Sequence, residues 1–261
     1  PKPRNRIEIN IEVDEGKSAK IEKINIIGNE TFSDEDLLDS FELSEGSFFS
    51  FLSNDNQYSR EKLVGDIESL ESYYRDRGHL KFSIESSQIS LSRDKKSIFI
   101  TYSINEGEKY VINEVDVIGD IPFEKEVYKE IVTSLKDKTY SQSQVTSIEE
   151  FFVNVLGNRG YAFAEVTGNT EIKEDSNLVK LIFSVLTGNR TYTRKILFTG
   201  NLVTQDNVLR REMRQFEGAW SSNNNIEAGK VRLERLGYFK EVNVETIPVT
   251  GTDDQIDVVY S

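Results

Sequence analysis

Apolar and polar residues alternate through SIFITYSIN, with Ile98, Ile100, Tyr102 and Ile104 on one side. The same two-residue beat returns at Val179, Leu181, Phe183 and Val185. Alternation of this kind predicts strands with one face buried and the other in water. Between such stretches the beat becomes helical. Leu63, Ile67, Leu70 and Tyr74 fall at i, i+4, i+7 and i+11 between Ser59 and Arg77, an apolar stripe suited to lying on a sheet. Gly78 then supplies a left-handed C-terminal residue. Ser33 followed by Asp36 is close to a capping box and predicts a short helix over DEDLLDSF. Further helices are expected near Pro122 to Leu135, with Val127, Ile131 and Leu135 inward, and at Ser143 to Arg159, with Ile148, Phe152 and Val155 inward. The last pair is expected at Thr204 to Phe216 (Leu209, Met213 and Phe216 buried) and about Asn224 to Leu236 (Ile226, Leu233 and Leu236). Gly229 weakens that final helix by about 1 kcal/mol relative to Ala.

The order strand, helix, helix, strand, strand occurs three times. Three anchors recur with it. Glu15-Gly16, Glu106-Gly107 and Thr187-Gly188 each close a strand; Gly28, Gly119 and Gly200 each end one; Gly78, Gly160 and Gly237 each end a helix before an aromatic strand. The fold class is therefore α+β, with three tandem β-α-α-β-β units. Each is a three-stranded mixed sheet covered on one face by two helices. The units are expected at 17–107, 108–188 and 189–261, with 1–16 as the last strand of a truncated preceding unit, so that the chain starts in mid-fold. A short turn makes the last two strands of each unit antiparallel. A right-handed crossover places the first strand beside the last, parallel to it, and leaves the middle strand as an edge. Phe82 and Ile84 are even-numbered whereas Ile89 and Leu91 are odd, so a β-bulge is expected within Glu85 to Gln88. Gly168, Asn169 and Thr170 interrupt the corresponding strand of the second unit, which should be the least regular of the three. The first unit is longer than the others, with its excess at Gly46 to Ser59 between the two helices.

Composition narrows the function. The net charge is −13 over 261 residues, which argues against nucleic acid and anionic lipid as partners, since both select clustered Lys and Arg. With no cysteine and one histidine, His79, neither thiolate nor His-based metal sites are expected. His79 follows a helix-ending glycine and reads as a surface turn residue. Glu35 with Asp36, and Glu149 with Glu150, fall on polar helix faces and read as solvated charge. Gly-rich phosphate loops are absent, and Asp253-Asp254 lacks calcium-loop spacing. No apolar run approaches the ~20 residues that span a bilayer. The expectation is a binding protein, not an enzyme, with no cofactor.

Three surfaces are candidates for that binding. The edge strand at Ser83, Ile84, Glu85, Ser86, Ser87, Gln88, Ile89, Ser90 and Leu91 can accept an added strand from another chain, or can be protected by its bulge and charge. In RREMRQFEGAW, Arg210, Arg211, Arg214 and Glu217 project outward if Leu209, Met213 and Phe216 are buried. They form either an interface cluster or a solvated helix face with pairs such as Arg214–Glu217. The aromatic loop Phe48, Phe49, Phe51, Leu52 either faces a partner or folds back as core.

Units of this length, with Gly-Asn after the first strand and L-G-[YF]-F after the second helix, resemble POTRA domains over the whole chain. KLVGDIESLESYYRDRG, and VLRREMRQFEGAW with RLERLGYF, are similar to the third to fifth such domains that precede the membrane barrel of outer-membrane assembly proteins. The resemblance implies a non-enzymatic scaffold at the periplasmic face of the Gram-negative outer membrane, receiving unfolded outer-membrane proteins and docking accessory lipoproteins. It implies lipoprotein docking and strand addition at about Ser83 to Leu91, and contact of Arg210, Arg211, Arg214 and Glu217 with a lipoprotein of the BamD type. The aromatic loop matches the family only in character. The alternatives are the periplasmic repeats of a two-partner secretion transporter, which carry two units where three are read here, and a secreted enzyme.

Overall fold

The computed structural model describes residues 19–43, 58–173 and 176–261. The expected strand at 1–16 and the loop Phe48 to Leu52 lie outside the described residues. The chain divides into two compact units, one ending at Lys109 and one beginning at Tyr110.

In the first unit, strand β1 (Lys20–Ile27) is followed by helices α1 (Asp34–Leu38) and α2 (Arg60–Arg75), then strands β2 (Ser83–Leu91) and β3 (Ser97–Asn105). The sheet order is β1-β3-β2, with β1 parallel and β2 antiparallel to β3, as the crossover argument requires. Ser33 caps α1 and Ser59 caps α2, each accepting from the amide three residues on. Leu63, Leu70 and Tyr74 of α2 are buried against Ile98, Ile100, Tyr102 and Ile104 of β3; burying each such side chain contributes about 1.5–3 kcal/mol. The register of β2 slips between Ile84 and Ser86, which places the bulge at Glu85, inside the predicted window. Asp66, wholly buried on α2, accepts the amides of Glu42 (2.6 Å) and Leu43 (3.3 Å) and ties the chain after α1 to the helix. Burial pushes its carboxyl above the ordinary range, although both amides oppose the shift.

The second unit holds two further sheets. One comprises β4 (Val111–Gly119), β5 (Glu165–Ile172) and β6 (Leu178–Leu186), under α3 (Glu126–Leu135) and α4 (Gln142–Gly157). The other comprises β7 (Tyr192–Phe198), β8 (Val244–Pro248) and β9 (Gln255–Tyr260), with α5 (Asp206–Arg210) and α6 (Asn223–Arg235). Their orders, β4-β6-β5 and β7-β9-β8, repeat the first. One irregularity repeats as well: Glu22, Asn113 and Arg194 are each an extra residue in the first strand of their sheet.

Several expectations are corrected. In α3, Tyr128 and not Val127 is buried with Leu135. In α4 the buried positions are Val145, Phe152 and Leu156; Val155 is only half-buried. β5 is an unbroken ladder with no slip in register, so Gly168 does not disorder it. A Cβ at Gly168 would come within 2.5 Å of Val145 Cγ1 and 3.3 Å of Phe183 Cε1, so the glycine lets α4 lie directly on the strand. Gly229 has a similar use. A Cβ there would meet Tyr260 Oη at 2.6 Å and Met213 Sδ at 3.2 Å, and that hydroxyl donates to the Ile226 carbonyl at 2.8 Å. Gly229→Ala should therefore lower stability by roughly 1–3 kcal/mol through overpacking, despite a gain in helix propensity of about 1 kcal/mol. A urea midpoint at or above that of the unmodified chain would refute this.

The two sheets of the second unit share a seam. Asn158, the C-cap of α4, turns its Oδ1 to accept from Ser222 Oγ (3.3 Å) and the Asn224 amide (2.7 Å), at the start of α6. Thr191 donates from its amide and its hydroxyl to the Gly160 carbonyl, at 2.7 and 2.9 Å. The Arg190 guanidinium lies 4.0 Å from the Trp220 ring centroid while its Nε donates to the Arg159 carbonyl.

Candidate protein-docking surfaces

In an antiparallel ladder, residues alternate between pointing their N–H and C=O at the partner strand and pointing them away. After its bulge, β2 sets Ser87, Ile89 and Leu91 opposite the buried Tyr102, Ile100 and Ile98. These three face the helix layer, and their amides point off the sheet. Among the described residues no hydrogen bond reaches those amides. Ile89 is 44% and Leu91 52% exposed, so the helices do not cover this end of the sheet. The result is a rim of unpaired backbone beside exposed apolar side chains, the features that define a strand-accepting edge.

The opposite rim is handled differently in the second unit. Val111 bridges Thr139, and Ile112 exchanges hydrogen bonds with Lys138 and Asp137. Tyr192 bridges Trp220, their rings stacked at 3.7 Å, and Thr193 exchanges hydrogen bonds with Ala219 and Gly218. In both sheets, then, the segment before the second helix runs along the outer side of the first strand and occupies it.

This bears directly on the arginine cluster. The predicted helix to Phe216 stops at Arg210, and Phe216 is not buried but 68% exposed. Gln215, 1% exposed, takes the inward place: its Nε2 donates to the Trp220 carbonyl at 2.9 Å and its Oε1 accepts the Ser222 amide at 3.1 Å. These bonds hold the segment between α5 and α6 as a loop alongside β7. The four sequence-picked residues are all exposed, but they split into two pairs. Glu217 Oε1 accepts the Ile196 amide at 2.8 Å, and Arg210 Nη2 donates to the Ile196 carbonyl at 2.8 Å. Arg210 Nη1 reaches Glu217 Oε1 at 3.1 Å, and its Nε reaches Asp206 Oδ2 at 2.6 Å. Together Arg210 and Glu217 supply to Ile196 what a neighbouring strand would. The Ile196 amide, with Arg210 behind it, holds the Glu217 carboxyl below the usual carboxylate range. Arg211 and Arg214 make no ion pair among the described residues. The Arg214–Glu217 pair of the solvated-helix alternative does not form; Glu217 pairs with Arg210 instead, and α5 ends before it could carry Arg214 and Glu217.

His79 is a second correction. It is 4% exposed, not a surface residue, and its Nδ1 lies 3.1 Å from the Glu106 carbonyl and 3.2 Å from that of Gly107. Glu106 accepts in turn from the Thr31 amide (3.0 Å), Thr31 Oγ1 (2.6 Å) and Tyr74 Oη (2.8 Å). Burial alone would raise the Glu106 carboxyl; these bonds outweigh it and hold it low. Every partner here is structural, and the cluster fastens the end of β3 to α2. Among the described residues no group of three or more His, Asp or Glu could hold a metal ion, and no helix is long and apolar enough to cross a membrane.

Three mixed sheets of the same strand order, each with two helices between its first and second strands, define a class of repeat. The chain belongs to the POTRA family, described as a surface antigen variable number repeat, which it matches at residues 19–107, 110–188 and 191–261. It is 33% identical over 99% of its length to the outer membrane protein assembly factor BamA of Neisseria meningitidis serogroup B, and 30% identical over 98% to BamA of Buchnera aphidicola. It spans 32% and 42% of the length of those two relatives. Among solved structures, POTRA domains 3–5 of Haemophilus influenzae BamA superpose with a TM-score of 0.83 at 28% identity, covering 96% of this chain and 98% of that one. BamA of Haemophilus ducreyi lacking POTRA domains 1–3 matches 58% of this chain and 29% of that one, at 39% identity and a TM-score of 0.52.

Proposed function

We propose that the chain is a periplasmic scaffold of outer-membrane protein assembly, which receives unfolded outer-membrane proteins by strand addition and docks accessory lipoproteins. The observation that carries this reading is the β2 rim, with its outward amides at Ser87, Ile89 and Leu91 and its exposed Ile89 and Leu91. An unfolded barrel protein is a string of alternating strands, and an edge that reads backbone hydrogen bonds and accepts alternate apolar side chains suits many such sequences. Kinship with outer membrane protein assembly factors supports the cellular setting. Lipoprotein docking falls at Arg210, Arg211, Arg214 and Glu217. Beside them Phe216 adds an exposed aromatic, and aromatic and arginine residues are the side chains that dominate interface energetics. Sequence reasoning missed Phe216 because it assigned that position to the helix stripe.

Ile89→Pro tests the rim. The N–H that proline removes points off the sheet, so the ladder to β3 is kept while one docking donor is lost and the ring fills its place. Affinity for an unfolded outer-membrane protein segment should fall at least about tenfold, with an unchanged circular dichroism spectrum. Binding that survives in the folded variant would remove β2 from the proposal.

A further inference from the structure

β5 and β2 occupy equivalent places, but one of their backbone groups is treated differently. On β5 the residues facing the helix layer, with amides directed off the sheet, are Val166, Gly168, Thr170 and Ile172. The Gly168 amide donates to Oε1 of Glu149 on α4 at 2.5 Å; no hydrogen bond reaches the amides of Val166, Thr170 or Ile172 among the described residues. Glu149 is half-buried and pointed at a backbone donor, whereas the sequence placed it on a solvated face. The contact depends on Gly168, since any side chain there would strike Val145 and hold α4 away.

We propose that β5 is a second strand-accepting rim, closed by Glu149 and opened by an extended polypeptide segment that carries Lys or Arg opposite Gly168. This rests on the strand-addition reading of β2 but concerns a different rim with a different selectivity. A strand that pairs with β5 must take the Gly168 N–H with its own carbonyl, and the carboxylate must then leave the one donor it has among the described residues. A half-buried carboxylate without a partner is costly. The residue directly across from Gly168 projects to the same face as Gly168, next to Glu149. An ammonium or guanidinium at that position replaces the lost hydrogen bond with a charge-assisted one. The other face of β5 repeats the preference: Glu165 and Glu171 lie on its solvent side with Thr167 and Asn169 between them, so basic residues are favoured there too and an acidic strand is repelled. β2, flanked by Ile89 and Leu91, selects apolar strands instead. Glu149 therefore sorts clients by charge between two rims of one chain.

The test uses the full 261-residue chain carrying Ile89→Pro, which silences β2. A capped synthetic peptide of alternating valine and threonine with one central lysine is titrated by NMR, beside a twin with norleucine in place of lysine. Amide shifts are expected at Val166, Gly168 and Thr170, with the lysine peptide bound about tenfold tighter than its twin. Glu149→Gln should bring the two peptides within about twofold. Without peptide, Glu149→Ala should speed hydrogen exchange of the Gly168 amide about tenfold. Equal affinities while Glu149 is present, shifts elsewhere on the chain, or self-association through β5 in sedimentation would each overturn the proposal. If neither peptide binds the Ile89→Pro chain while an apolar strand still binds unmodified β2, the gate is wrong and the β2 reading stands. Loss of binding at both rims removes both.

Discussion

Glu217→Lys is expected to weaken binding of a BamD-type lipoprotein by about a hundredfold or more, while leaving the domain folded. The carboxylate holds the Ile196 amide and lies 3.1 Å from Arg210 Nη1. Lysine in its place loses both bonds and sets a second cation against Arg210, so the exposed surface changes from a mixed pair to a single positive field. Removing one partner of a charge pair that an interface buries costs about 2–5 kcal/mol of binding. The fold survives because the rest of this rim is held by backbone bonds from Gly218, Ala219 and Ser221, together with Gln215. Calorimetry with the purified lipoprotein reads the affinity, and hydrogen exchange at Ile196 reports the exposed amide. Glu217→Gln keeps an acceptor for that amide and should bind in between. Unchanged affinity for the lysine variant would detach Glu217 from lipoprotein docking.

Gly119→Ala should strongly destabilise the second unit, by about 2–5 kcal/mol. Gly119 has φ of +113°, and a Cβ there would sit 2.0 Å from the Val185 carbonyl oxygen. That oxygen belongs to the central strand β6, which is bound on both sides and cannot retreat without breaking a ladder. The backbone penalty of about 1–2 kcal/mol and the overpacking penalty of about 1–3 kcal/mol therefore act together. Gly28, at φ +100° and with a Cβ that would sit 2.3 Å from the Ile104 carbonyl oxygen, holds the same place in the first sheet. Trp220, the single tryptophan, lies in the same unit as Gly119, so its fluorescence can follow urea unfolding. A lower midpoint at constant slope is the expected outcome; a midpoint within error of the unmodified chain would contradict the geometry.

What the sequence disclosed was whatever depends on chain-local period. The β3 and β6 alternations, the α2 stripe and the Ser33 cap are all set by neighbours within one or two turns, and the structure repeats them. Even the bulge at Glu85 was legible, since an extra residue flips parity in plain view. The misses share one cause, a partner far away in sequence. Gln215 ends the helical run by bonding Trp220 and Ser222, and no local pattern announces a side chain that replaces a helix turn. Burial of His79 depends on carbonyls at Glu106 and Gly107. Glu149 looked solvated until Gly168 came to lie beneath it. The four residues of the candidate docking cluster are all exposed. Their division into a strand-mimicking pair, Arg210 with Glu217, and a freely exposed one, Arg211 with Arg214, required the tertiary fold.

Asn158 finishes one helix and begins another with a single amide side chain. Fraying at the tail of α4 therefore removes an acceptor from the head of α6, and each terminus becomes a strain gauge for the other. A pull applied to either sheet would be felt across the seam as a loosened helix end.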